Sequence, residues 1–139
     1  MATAAASIEV RTPGRGFQNI SHELQDAVGR SGVRDGLCNV FLRHTSASLL
    51  ITENADPDVR LDLENWISKH VPDGDPAYVH SMEGPDDMPA HIRSVLTASE
   101  LTIPVRNGRL ALGTWQGAYL WEHRHRPHHR RLDITVIGQ

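Results

Sequence analysis

The chain has 139 residues, close to the size of one domain, which leaves no room for separate cofactor and substrate domains. Fourteen basic against 17 acidic residues give a net charge of −3, so no overall basic field exists to hold nucleic acid or an anionic membrane. No apolar run approaches the ~20 residues that cross a bilayer, and a lone Cys38 excludes an internal disulfide or a multi-cysteine zinc cluster, so a cytoplasmic protein is expected.

Residues 1–6 lack the basic and long apolar regions of a signal peptide and read as a disordered start to a single domain spanning 1–139. Alternation over 7–12 before Pro13-Gly14 predicts a strand and a turn. Ser21 reads as the cap of a helix over roughly 21–31, with Leu24, Ala27 and Val28 at helical spacing. Strands follow over 37–44, with Val40, Leu42 and His44 on one face, and over 48–53, with Leu49, Ile51 and Glu53 on one face. Asp56-Pro57-Asp58 opens a second helix with the stripe Val59, Leu63, Trp66, Ile67 and His70. Asp86-Asp87-Met88-Pro89 opens a third, with the stripe Met88, Ile92, Val95, Leu96 and Ser99 and with His91 beside it. The last third reads as strands over 101–105, 110–122 and 132–137, with a tight turn at Asn107-Gly108. Three helices among six or seven strands, with hairpin signals dominating, predict an α+β sandwich of largely antiparallel or mixed strands.

The densest polar segment is His80–His91, with two imidazoles and three carboxylates (Glu83, Asp86, Asp87) in twelve residues. Imidazole and carboxylate are what a divalent metal takes from a site without cysteine, and three protein ligands leave an open position. His80 and His91 supply two ligands, and His44, at the end of an apolar strand face, is the candidate third. The competing reading makes Asp86 and Asp87 helix caps and the histidines core residues. Ser48, near His44, reads as a strand-end residue rather than a nucleophile, and Cys38, with no charged neighbour, as buried packing. Gly113-Thr-Trp-Gln-Gly117 suits a pocket wall offering Thr114 and Gln116, or a bend with Trp115 in the core. Glu122–Arg131 carries four arginines and four histidines without an interleaved aromatic, so it reads as a solvated hairpin loop rather than a nucleic-acid patch.

Four blocks, His44-Thr-Ser-Ala-Ser48, Glu53-Asn-Ala-Asp-Pro-Asp-Val-Arg60, Glu83-Gly-Pro-Asp-Asp-Met-Pro-Ala-His91 and Gly113-Thr-Trp-Gln-Gly117, resemble the YjbQ family, also called UPF0047, in family order over roughly 7–138. The resemblance implies a YjbQ-like α+β fold, a homotrimer, and a secondary thiamine-phosphate synthase activity, with that activity standing as a main or a side reaction. It joins hydroxymethylpyrimidine diphosphate to thiazole phosphate with loss of pyrophosphate. It also implies a divalent metal, zinc or magnesium, in a pocket near subunit contacts. On this basis His44, His80 and His91 are the expected metal ligands and Glu53, Glu83 and Asp86 the expected catalytic carboxylates. Asn54, Thr114, Gln116 and Glu122 are the expected contacts to a phosphorylated small molecule. The alternative is a non-catalytic trimeric module that binds an anionic metabolite.

Overall fold

Eleven segments take regular structure in a computed structural model that describes residues 1–139. In chain order they are β1 (Ala2–Thr12), β2 (Gly16–Asn19), α1 (Ser21–Ser31), β3 (Gly36–Leu42), β4 (Ala47–Glu53), α2 (Pro57–His70), α3 (Asp87–Leu96), β5 (Glu100–Arg106), β6 (Arg109–Leu110), β7 (Gln116–Glu122) and β8 (His128–Gly138). Two antiparallel sheets result, β1-β8-β3-β5-β6 and β2-β7-β4. Alternation along the strands sends Cys38, Val40 and Leu42 of β3 and Leu132, Ile134 and Val136 of β8 into the space between the sheets, with Leu49 from β4 and Ala118 and Leu120 from β7. Leu24, Ala27 and Val28 of α1 close one side of this core. Each fully buried Leu, Ile or Val contributes about 1.5–3 kcal/mol. The opposite face of β7 carries Trp121, which packs on Ile67 and Val71 with Ile92 beside them, so α2 and α3 form a third layer over the small sheet. β7 is therefore buried on both faces from Gly117 onward.

The start of the chain departs from the expected disorder: Ala2–Ala6 extend β1, because the eleven-residue β8 offers them partners from Ala2↔Gly138 to Ala6↔Ile134. The helix at 21–31 is as expected, but Ser21 is its first residue rather than its cap. Asn19 Oδ1 accepts the Ser21 N–H at 2.9 Å, and Ser21 Oγ accepts the Ala118 N–H at 2.9 Å. Asp56 does cap α2, its Oδ1 accepting the Asp58 N–H. Two apolar stripes are misplaced. Trp66 and His70 are exposed, stacked edge-to-face on each other at 4.2 Å, and Val95 and Leu96 are exposed at the end of α3. What α3 buries instead is Asp87, Pro89, Ala90 and Arg93, because Glu64 and Ser68 on α2 supply polar partners for Arg93. The Asn107-Gly108 turn is confirmed, both residues at positive φ (52° and 75°), the backbone a tight hairpin of this type requires.

Candidate metal centre

The segment between α2 and α3 folds back on itself, with the Gly74 N–H donating to the Pro85 carbonyl at 3.0 Å, and it delivers His80 to the first turn of α3. Asp87 and His91 are four apart on that helix and so share a face. His80 Nε2 lies 2.7 Å and His91 Nε2 3.1 Å from the same oxygen, Oδ2 of Asp87, and the two rings meet edge-to-face at 5.3 Å. These three donors form a compact cluster, with Asp87 buried and the imidazoles partly open to solvent.

Two of the three donors, Asp87 and His91, have an orienting partner outside the cluster. Arg124 Nη1 donates to Asp87 Oδ1 at 2.7 Å, which turns Oδ2 toward the histidines; its Nε donates to Asp86 Oδ2 and its Nη2 to the Glu83 carbonyl. The Thr45 carbonyl, 3.0 Å from His91 Nδ1, can only accept, so the proton sits on Nδ1. His91 Nε2 therefore points either a lone pair or a second proton at a carboxylate oxygen. A lone pair there is repelled unless a cation lies between. Burial alone would raise the Asp87 carboxyl, but the His80 hydrogen bond, with His91 and Arg124, outweighs it and holds the group below the usual carboxylate range. The set fits a zinc-type ion, since two imidazoles and one carboxylate are the ligands of open catalytic zinc sites, whereas magnesium prefers oxygen ligands throughout. Tetrahedral donors at about 2.0 Å from an ion stand about 3.3 Å apart; here the two imidazole nitrogens lie 2.7 and 3.1 Å from the carboxylate oxygen, and all three donor atoms lie within 4.8 Å of one another.

The other expected site residues lie elsewhere within one chain. His44 is outside the cluster: its Nε2 accepts the Arg131 N–H at 2.8 Å and its Nδ1 faces Arg130 Nη1 at 3.3 Å, leaving no nitrogen free to ligate. Burial, then Arg130, pushes its pKa below the ordinary value. Asp87 takes the third place. Asp86 joins Arg124 and the His125 N–H; burial would raise its carboxyl, but these partners hold it low, which ill suits a general base. Glu83 is exposed beside the cluster. Glu53 Oε2 accepts the Ala55 and Asp56 N–H groups, and Asn54 Nδ2 donates to the Thr114 and Gln116 carbonyls, so these residues build the turn leading into α2 and its contact with the Gly113–Gly117 loop. Thr114, Trp115 and Gln116 are exposed, so Trp115 is not core. Glu53 pairs with Gln116 and Ala47 with Glu122, which puts this group at the far end of β4, six residue steps or ~20 Å from Ala47, the end that Thr45 leads into. Glu122 is fully buried against Arg130 and Thr12, with no access to a ligand. Sequence reasoning passed over Asp87 as a ligand and Arg124 as its support; the i, i+4 spacing of Asp87 and His91 was the available signal. Cys38 is buried, its thiol pushed up by burial to about 11, as a packing residue's should be.

The fold and cluster define an α+β sandwich domain with a His-Asp-His cluster at the start of its last helix. Residues 6–139 match the family model described as UPF0047 protein YjbQ-like, and the chain belongs to that family. It is 55% identical to the UPF0047 protein sll1880 of Synechocystis sp., over 94% of this chain and 88% of that one. It is 48% identical to the UPF0047 protein YjbQ of Salmonella typhimurium, over 90% and 91%. The crystal structure of a conserved hypothetical protein from Thermus thermophilus superposes with a TM-score of 0.86 at 33% identity, covering 95% of this chain and 99% of that one.

Proposed function

We propose that the protein is a metal-assisted enzyme acting on a phosphorylated small molecule at the His80–Asp87–His91 cluster. The observation that carries this reading is the pair of imidazole nitrogens converging on one carboxylate oxygen, with the Thr45 carbonyl holding the His91 proton on the ring's other nitrogen. A zinc-type ion held there supplies charge neutralisation for a phosphate or diphosphate group. The chain's own residues set the geometry: Arg124 fixes the Asp87 carboxylate, Thr45 fixes the His91 tautomer, and the partial exposure of His80 and His91 leaves the remaining side open to a ligand.

The synthase reaction implied by the family resemblance, hydroxymethylpyrimidine diphosphate plus thiazole phosphate giving thiamine phosphate and pyrophosphate, is the first reaction we propose to assay. A cytoplasmic location and a homotrimer complete the proposal. The trimer draws support from Leu37, Phe41 and Ile137, exposed on the outer face of the five-stranded sheet with no element of this chain over them. No helix is long and apolar enough to cross a membrane.

The test is zinc content of untagged protein and of three variants. Asp87→Asn and His91→Ala lose zinc, while His44→Ala keeps it. Equal zinc in the wild type, Asp87→Asn and His91→Ala would sink the proposal. Where zinc binds but a stabilising phosphorylated ligand is recovered unchanged, the chain is a binding module rather than an enzyme.

A further inference from the structure

The His80 ring also lines a pocket of about 430 Å³, within the range of small-ligand sites. Asp75, Tyr78, His80 and Ser81 are among its lining residues, and neither arginine nor lysine is. Asp75 spends Oδ1 on the Ala77 N–H at 2.9 Å and keeps its second oxygen for a ligand. The Tyr78 hydroxyl donates to the Pro72 carbonyl at 3.0 Å, which holds this aromatic ring in the lining of the pocket. A carboxylate with a free oxygen and an aromatic ring lining one pocket, with neither arginine nor lysine beside them, suit a positively charged nitrogen better than an anion.

We propose that this pocket takes an amine- or amidine-bearing cationic ring or chain: the non-phosphoryl end of a substrate whose other end reaches the His80–Asp87–His91 cluster. Only the placing of that other end rests on the proposed function; the recognition by Asp75 and Tyr78 stands independently of it.

Three probes of one shape and three charges test this: benzamidine, benzamide and benzoate, titrated into the full chain with and without zinc and followed by amide NMR. Benzamidine shifts the resonances of Gly74, Asp75, Tyr78 and Ser81 in both states, and benzamide and benzoate bind at least about tenfold more weakly. Asp75→Asn, which retains an acceptor for the Ala77 N–H, weakens benzamidine by a similar factor and leaves zinc uptake unchanged. Benzoate binding as well as benzamidine, unchanged affinity in Asp75→Asn, or shifts confined to other parts of the chain would overturn the inference. Should Asp75→Asn perturb the fold, the comparison of benzamidine with benzoate on the wild type decides alone. Benzamidine mapping to this pocket in a protein that takes no zinc removes the proposed function and keeps the pocket. Zinc uptake without benzamidine binding does the reverse.

Discussion

Just beyond β7, His123 is fully buried, its Nε2 2.8 Å from the buried Ser48 Oγ and its Nδ1 without a partner. Burial, then Arg93, Arg15 and Arg130, pushes its pKa down to about 2 from an ordinary 6.5. Above pH 6.5 neither the folded nor the unfolded chain protonates this ring, so it adds no pH dependence. Below that, the unfolded chain takes the proton and the folded one refuses it, costing about 1.4 kcal/mol per pH unit. The wild type should therefore lose about 2 kcal/mol more than His123→Gln between pH 6.5 and 5, read from urea unfolding at the two values. Equal losses would show that His123 accepts its proton in the folded state. The sequence hid this residue well. The Glu122–Arg131 run has the composition of a solvated loop, yet Glu122, His123 and Arg130 are all buried. Glu122 and Arg130 neutralise each other, and Thr12 and Ser46 satisfy their remaining groups, so burial costs far less than the charges imply.

Among the elements, α3 starts where the sequence places it, but of the apolar stripe only Ile92 packs on the α2–β7 cluster, and the most buried positions are others. Hydrophobic periodicity located it, but periodicity assigns polar residues to solvent, and Arg93 is buried because α2 meets it. Its Nη1 donates to Glu64 Oε2 at 2.8 Å and its Nη2 to Ser68 Oγ at 2.9 Å, while Glu64 Oε1 accepts from Trp121 Nε1 at 3.1 Å. One carboxylate thus ties α2, α3 and β7 together. Arg93→Ala should cost about 3 kcal/mol, the scale for breaking a buried ion pair from one side, and Arg93→Lys should recover only part of it, since an ammonium cannot reproduce the two-pronged contact. Urea midpoints measure both; an alanine variant within 1 kcal/mol or so of wild type would mean that water replaces the pair. Signals that live in adjacent residues were legible: the Asp56 cap, the Asn107-Gly108 turn and the strands around Val40 and Ile134 are where the pattern put them. Partners brought from distant segments, such as Arg124 to Asp87, were not, because nothing local encodes them.

At the level of the whole molecule, the three donors of the cluster come from one chain, whereas the exposed apolar residues that favour assembly lie on the outer face of the five-stranded sheet. Leu37 sits directly across from Ile137 there, with Phe41 further along the same strand. Phe41→Glu should dissociate the proposed trimer and leave zinc content per chain unchanged, as light scattering with metal analysis on each species would reveal. Loss of zinc on dissociation would place a ligand on the neighbouring copy, with His44 the first residue to revisit.

The strand order also dictates a timetable. β1 pairs with β8 alone and β2 with β7 alone, and both sheets are organised around strands that the ribosome delivers after all the others of the sandwich. When residue 110 has been made, β3, β5 and β6 are the strands able to pair, and β1, β2 and β4 still wait with their hydrogen-bonding edges bare. Folding of the sandwich is thereby deferred until β7 and β8 have been made, and its sequence-distant pairings place refolding of the chain in the slow, millisecond-to-second class. During translation, β1, β2 and β4 are therefore the segments whose unpaired edges stay open to wrong partners longest.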